Sequence, residues 1–357
     1  MLGWSATMVN NRSSGGRTAP VVAALIVIVG VLMGACSTAP ITDSANSSTA
    51  QDDILRSGPQ TAALEGPDVE PIADNPVPVL PVTVDSVGGG RVTVADASRI
   101  IAIDRSGTLA NIVFSLGLGE RVVARDRSTV IPEAGQLPLI TDSGHSVNIE
   151  AVLAADPSVV LIDESVNPPG TIDQLRAAGI TVVVFGKDRT IASTGPLITA
   201  VAEALGVPDQ GRALAARTDA EIEAARTSVP ERAHGSKMAF LYLRGERFKL
   251  LAGPGSGADD LIEAIGGVDA GTAAGLTSSF TTVDAEAMIN ADPAVILVMT
   301  QGAESVGGID KVLQLPGLAQ TDAGRNRRVV QMDQAEILTF GPDTGRVLAA
   351  LAEAIYV

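Results

Sequence analysis

A chain of 357 residues, 46% apolar but only 3% aromatic, is long enough for two ordinary domains, and their cores must rest on Ala, Val, Leu and Ile. Its 41 acidic against 25 basic residues argue against nucleic acid as a partner, since binding phosphate requires a basic face.

Arg12 and Arg17 precede an apolar run from Ala19 to Leu32, which ends in Met33-Gly34-Ala35-Cys36 and the only cysteine. This is the pattern of an export signal. The run is shorter than the roughly 20 apolar residues a membrane span needs. A lone cysteine is usually a small buried hydrophobe, but this one stands between a signal and a polar stretch. The segment Leu32-Met33-Gly34-Ala35-Cys36 resembles a bacterial lipobox, with Met where Leu or Val is commoner. That resemblance implies acylation of Cys36 and a secreted lipoprotein held on the outer face of the membrane. Residues 37–80 are rich in Pro, Ser, Thr, Asp and Ala and lack an apolar period, so they are expected to form a disordered tether. Val82-Thr83-Val84 and Val92-Thr93-Val94 flank Gly88-Gly89-Gly90 and predict a β-hairpin within residues 81–97.

Beyond residue 98 short β-branched runs alternate with helical stretches. Strands are expected at Ile100 to Ile103, Val122 to Ala124, Val159 to Ile162 and Val182 to Phe185. A second set follows at Met238 to Leu243, Phe248 to Leu251, Val295 to Met299 and Val329 to Met332. The alternation predicts two parallel sheets with helices on both faces, an α/β architecture of two Rossmann-like lobes. An internal repeat supports the division: Asn148-Ile149-Glu150 to Asp156-Pro157 and Asp284-Ala285-Glu286 to Asp292-Pro293 are each a short helix halted by Asp-Pro before a buried strand. The first lobe is assigned to residues 98–208 and the second to 230–357. Between the two strand sets, Ser193 or Thr194 is the expected cap of a helix with Pro196 in its first turn, ending near Gly206. A charged helical stretch at 209–229 then connects the lobes, stiffly enough that ligand capture involves a small reorientation rather than wide closure.

Lipobox, tether, lobe, connecting helix and lobe together resemble the helix-linked class of bacterial solute-binding proteins, over residues 82–357. Members of that class serve ABC importers of iron siderophores, cobalamin and haem. Glu150 and Glu286, taken singly, are solvated residues favoured at a helix start by the dipole. The resemblance gives them a second reading, as one carboxylate per lobe docking on arginines of the membrane permease, where paired charges fix orientation and speed encounter.

Rare residues bear on the solute. His145 lies in the small-residue loop Asp142-Ser143-Gly144-His145-Ser146, and Tyr242 lies near the end of the first strand of the second lobe, followed by Arg244 on the same strand face. Both should face the crevice beyond the carboxyl ends of the strands. Histidine nitrogen and tyrosine phenolate both ligate haem iron, the phenolate favouring the ferric state. A phenol titrates ordinarily near 10, so that form calls for a nearby cation, and Arg244 is placed to supply it. Equally, His145 suits a polar loop, and Tyr242 with Arg244 suits a half-buried strand edge. Thr141-Asp142-Ser143-Gly144-His145 and Tyr242-Leu243-Arg244-Gly245 are similar to the haem-ligand segments of haemin-binding lipoproteins of actinobacterial importers. This implies His145 and Tyr242 as axial ligands of haem b carried as cargo, Arg244 bonded to the tyrosine oxygen, and Met299 approaching the haem, although a methionine there equally fills core. It also implies a permease and ATPase as partners. A siderophore or cobalamin receptor is the alternative. No cysteine nucleophile, multi-His cluster or repeated acid–base pair appears, so no enzyme is expected. The loop Gly253-Pro254-Gly255-Ser256-Gly257 reads either as an anion-binding turn or as a plain strand-to-helix connection.

Overall fold

The computed structural model describes residues 54–357 except Pro67, Asp68, Gly89, Ser143, Gly144, Glu246 and Val283. The export signal, Cys36 and the start of the expected tether lie outside the described residues.

Composition makes residues 54–80 part of a disordered tether, and the structure corrects this. Ile54 is fully buried, Leu55 pairs with Tyr356, and the Val357 amide donates to the Ile54 carbonyl at 2.9 Å. Strand β1 (Gln60–Thr61) then joins the edge of the C-terminal sheet. From Val69 the chain lies on the other lobe instead. The Ile72 amide donates to Ser115 O at 2.7 Å, Val79 to Gly206 O at 2.8 Å, and Val69, Ile72 and Leu80 pack on that lobe's core. Few apolar residues suffice here because each is added to a core that other segments build. Strands β2 (Val82–Ser86) and β3 (Gly90–Val94) form the expected antiparallel hairpin.

The first lobe holds β4 (Ile100–Ile103), β5 (Val122–Arg125), β6 (Val159–Asp163) and β7 (Val182–Phe185) as a parallel sheet in the order β5-β4-β6-β7. Every residue of β4, β6 and β7 is buried, as a parallel sheet covered on both faces requires. Helix α1 (Thr108–Ser115) follows β4, and α2 (Ile149–Ala154), capped by the Asn148 side chain on Ala151 N, precedes β6.

Two helices join the lobes. Helix α3 (Ile191–Ala204) starts earlier than its sequence suggests: Thr190 and Ser193 form a capping box, each side chain bonded to the other's amide at 3.0 Å, and Pro196 falls inside the helix. Helix α4 (Pro208–Ser228) places Leu214 in the first core and Ile222 and Ala225 in the second, so it spans both.

The second lobe contains β8 (Ser236–Arg244), β9 (Phe248–Ala252), β10 (Gly267–Asp269), β11 (Phe280–Thr282), β12 (Val295–Met299) and β13 (Val329–Met332). With β1 the order is β1-β13-β12-β8-β9-β11, and β10 lies beside β8. This sheet is mixed, not wholly parallel. Only a tight turn at Gly245 (φ +56°) separates β8 from β9, too short for a crossover, so the two pair antiparallel. Helix α5 (Ala285–Ala291) repeats the design of α2, capped by Asp284 on Ala287 N. Helix α6 (Thr344–Ile355) packs on α4 so closely that a Cβ at Gly345 would collide with the Glu221 backbone. No helix among the described residues is long and apolar enough to cross a membrane.

A carboxylate follows three of the four strands of the first sheet: Asp104 after β4, Asp126 after β5 and, as the last residue of β6, Asp163. All are buried. Arg189, just beyond β7, places one Nη at 3.1 Å from Asp104 and 2.6 Å from Asp163, and its Nε bonds the Thr108 hydroxyl at 3.3 Å. Thr108 in turn donates to the carbonyl of Thr339 in the second lobe, and Ile191 N donates to Asp260 there at 2.5 Å. Removing Arg189 would leave two buried carboxylates without a cation. Arg189→Ala should therefore cost about 3–5 kcal/mol in denaturant unfolding at neutral pH, and a loss below about 1 kcal/mol would show the pairing to be dispensable.

Candidate functional site

The carboxyl edge of the first sheet faces the second lobe. There Thr141 and Val147 pair across a tight loop, closed by Asp142 N on Ser146 O at 2.7 Å, and His145 sits in it with φ +61°. A non-glycine residue in this left-handed region carries backbone strain and persists only where surrounding bonds hold it. The ring is partly buried, with Nδ1 at 3.1 Å from the Ser128 hydroxyl. Its pKa lies below the ordinary imidazole value, chiefly through burial and then through the charges of Arg105, Arg127 and Arg244. The last of these belongs to the opposite lobe, so its charge acts across the crevice.

On that facing wall Tyr242, in β8, packs edge-on to Phe280 with ring centroids 5.9 Å apart, and it rests against the second core. The Arg244 guanidinium stands over the tyrosine ring, 5.0 Å from its centroid, and donates to Gln334 and to Leu243 O. This is a cation–π arrangement; in this state Arg244 meets the face of the ring, whereas the sequence reading put it on the oxygen. Met299 follows the core-filling alternative. It ends β12 but is only 3% exposed and belongs to the core, so in this state it lies behind the wall and not on it.

A cavity of about 370 Å³ opens between the lobes, lined by Asn111, Val130 and Ile131 on one side and Gln301, Asp333 and Phe340 on the other. Val130 is 63% exposed, an aliphatic side chain offered to the crevice. The Gly253–Gly257 loop is a strand-to-helix connection: Asp259 accepts from Gly255 N at 2.7 Å and Gly257 N at 2.9 Å, so the chain's own carboxylate occupies those amides. Glu150 and Glu286 are both exposed in the first turns of α2 and α5, the equivalent helices of the two lobes. Sequence reasoning missed Arg105, Arg127, Ser128 and Val130. The same carboxyl-edge rule that picked out His145 could have found them, because all four lie in the loops that leave β4 and β5.

Residues 104–336 match the model of the periplasmic binding protein family. The chain belongs to that family. As a periplasmic binding protein it has the helix-linked fold of two α/β lobes, and solved structures share it. The haem-binding protein HmuT superposes with a TM-score of 0.77 at 38% identity, over 84% of this chain and 98% of that one. Further structures of HmuT carry alanine in place of a histidine, of a tyrosine, and of an arginine two positions beyond that tyrosine. The periplasmic haem-binding protein RhuT of Roseiflexus sp. RS-1, in apo form, superposes with a TM-score of 0.68 at 38% identity, over 72% of this chain and 98% of that one. A cobalamin-binding protein of Halobacterium salinarum is 25% identical over 281 residues, 77% of this chain and 74% of its own length. All these relatives are named as binding proteins.

Asp126 anchors the His145 side of the crevice. Its carboxylate accepts from Thr129 N and Thr129 Oγ at 2.8 Å and from Asp104 N at 2.9 Å. Burial first, and the Asp104 charge second, push its pKa from 3.8 up to about 7. The folded protein thus holds a proton that the unfolded chain has released, so the stability from this group is present below the unfolded value and is lost as pH rises toward 7. Asp126→Asn abolishes that titration. Relative to the parent, the variant should gain at most about 1.4 kcal/mol per pH unit between about 4 and 7 in denaturant unfolding, and a difference that does not change with pH would show that the carboxyl is not raised.

Proposed function

We propose that this periplasmic binding protein is the extracytoplasmic substrate-binding lipoprotein of an ABC importer, anchored through Cys36, and that it captures ferric haem b between its lobes. One observation supports the reading: the Arg244 guanidinium that lies over the Tyr242 ring in the second lobe also acts electrostatically on His145 of the first. Axial donors from two sides suit an iron whose four remaining positions are filled by a porphyrin. In this reading His145 supplies a neutral nitrogen, which burial and three guanidinium groups favour. Tyr242 supplies an anionic oxygen, its proton leaving on coordination. Rotation of the Arg244 side chain would carry the guanidinium from the ring face to that oxygen, where it stabilises the negative charge. Arg105 and Arg127, both exposed, suit the ligand's carboxylates, and Val130 and Phe280 its apolar faces. The tyrosine and arginine two positions apart that were replaced in HmuT match the spacing of Tyr242 and Arg244.

Glu150 and Glu286 are assigned to docking on the permease, whose ATPase then drives uptake. The cobalamin-binding relative motivates a second reading, in which the crevice takes a corrinoid.

Titrating the folded domain with haemin should give one ferric haem per chain, with a tyrosinate charge-transfer band that Tyr242→Phe abolishes and an affinity at least tenfold lower in that variant, about 1.4 kcal/mol. An unchanged spectrum in Tyr242→Phe would remove the tyrosine as ligand, and cyanocobalamin binding without haemin binding would transfer the assignment to the corrinoid. With the permease and ATPase in liposomes, the Glu150→Ala/Glu286→Ala pair should bind haemin normally yet stimulate ATP hydrolysis several-fold less, and raising salt should weaken stimulation by the parent more than by the variant. Equal stimulation would free both residues from docking.

A further inference from the structure

We infer that Ser128 is a positioning residue for His145, fixing its imidazole as the tautomer protonated on Nδ1 and leaving the Nε2 lone pair free for a metal in the crevice. The consequence for iron rests on the haem reading above, while the tautomer itself does not.

A serine hydroxyl has one hydrogen and two lone pairs. Ser128 Oγ lies 3.0 Å from the carbonyl oxygen of Arg105, which accepts only, so the hydroxyl hydrogen is committed there. The contact of 3.1 Å to His145 Nδ1 must then run the other way, with the ring N–H donating to the serine oxygen. A neutral imidazole protonated on Nδ1 carries its lone pair on Nε2. The opposite tautomer would force the hydroxyl to abandon the Arg105 carbonyl.

Ser128 is itself held from both sides. One residue later Thr129 is bound to Asp126 through both its amide and its hydroxyl, and one residue earlier the Arg127 amide donates to the Thr141 hydroxyl at 2.9 Å. Thr141 opens the loop that carries His145. The three loops after β4, β5 and the His145 hairpin are thus locked to one another around this one hydroxyl. Holding the non-ligating nitrogen of a histidine sets ring orientation and basicity, and loss of such a partner typically costs about 10–100-fold in metal affinity.

The chain has two histidines, so its imidazoles can be followed individually. Long-range proton–nitrogen correlation spectra of the ligand-free protein, made with ¹⁵N-histidine and recorded slightly above neutral pH, report the tautomer directly, with His145→Gln assigning the signals. The parent should show His145 as the Nδ1–H form, Ser128→Thr should retain it, and Ser128→Ala should shift the ring toward Nε2–H. An Nε2–H signal in the parent, or a tautomer unchanged in Ser128→Ala, overturns the inference. In haemin titrations Ser128→Ala should bind about 10–100-fold more weakly and move toward the five-coordinate, tyrosine-only spectrum of His145→Ala. Should the parent bind haemin and Ser128→Ala match it in spectrum and affinity, the positioning role fails. Should the parent not bind haemin at all, the haem reading fails and the tautomer experiment still decides the role of Ser128.

Discussion

Carboxylates at the ends of adjacent parallel strands repel one another in a setting where water cannot screen them, and the Arg189 guanidinium lets Asp104 and Asp163 coexist there. Each carboxylate also holds down the loop that leaves its strand. Asp104 accepts from Ser106 N at 3.1 Å and Leu109 N at 3.0 Å, Asp163 from Ser165 N at 2.9 Å, and Asp126 from Thr129 N at 2.8 Å. The crevice wall of the first lobe is therefore a row of side-chain-capped turns. Arg189 ties two of them together and, through Thr108, to the second lobe.

The two walls are built on different principles. His145 is carried by a loop and depends on hydrogen bonds for its orientation. Tyr242 is carried by a strand within the larger sheet and depends on packing against Phe280 and the core. A loop-borne nitrogen opposite a strand-borne oxygen gives one adaptable and one rigid donor. The charge of the site is equally asymmetric: in a chain of net charge −16, Arg105, Arg127 and Arg244 gather around His145. A local concentration of cations within an acidic protein attracts an anionic guest without making the whole surface basic.

Much of this was legible in the sequence because burial on both faces leaves an unmistakable mark. Ile100 to Ile103, Val159 to Ile162 and Val295 to Met299 are continuous apolar runs, and each is a strand. The Asn148 and Asp284 helices announced themselves by repetition. What failed to show was whatever depends on distant partners. Residues 54–80 look unfoldable because their few apolar side chains count only once the cores of other segments exist. Met299 ends a strand at the correct height, yet side-chain direction and not height decides whether a residue sees the crevice. The short strands β10 and β11 carry too few residues for a period to register. Asp104, Asp126 and Asp163 are visible as acids after strands, but the cation that Asp104 and Asp163 share lies 26 residues beyond the nearer of that pair.

The path of residues 54–80 has a mechanical corollary. The backbone crosses between the halves once ahead of β2 and again through α4, so the halves are joined by two chain crossings rather than hung on a single pivot. Any external agent prising them apart must peel Ile72 and Val79 from their carbonyls, or β1 from β13, as well as bend the long helix. Full separation of the halves therefore has to undo packing at both crossings, whereas a small reorientation can leave both in place.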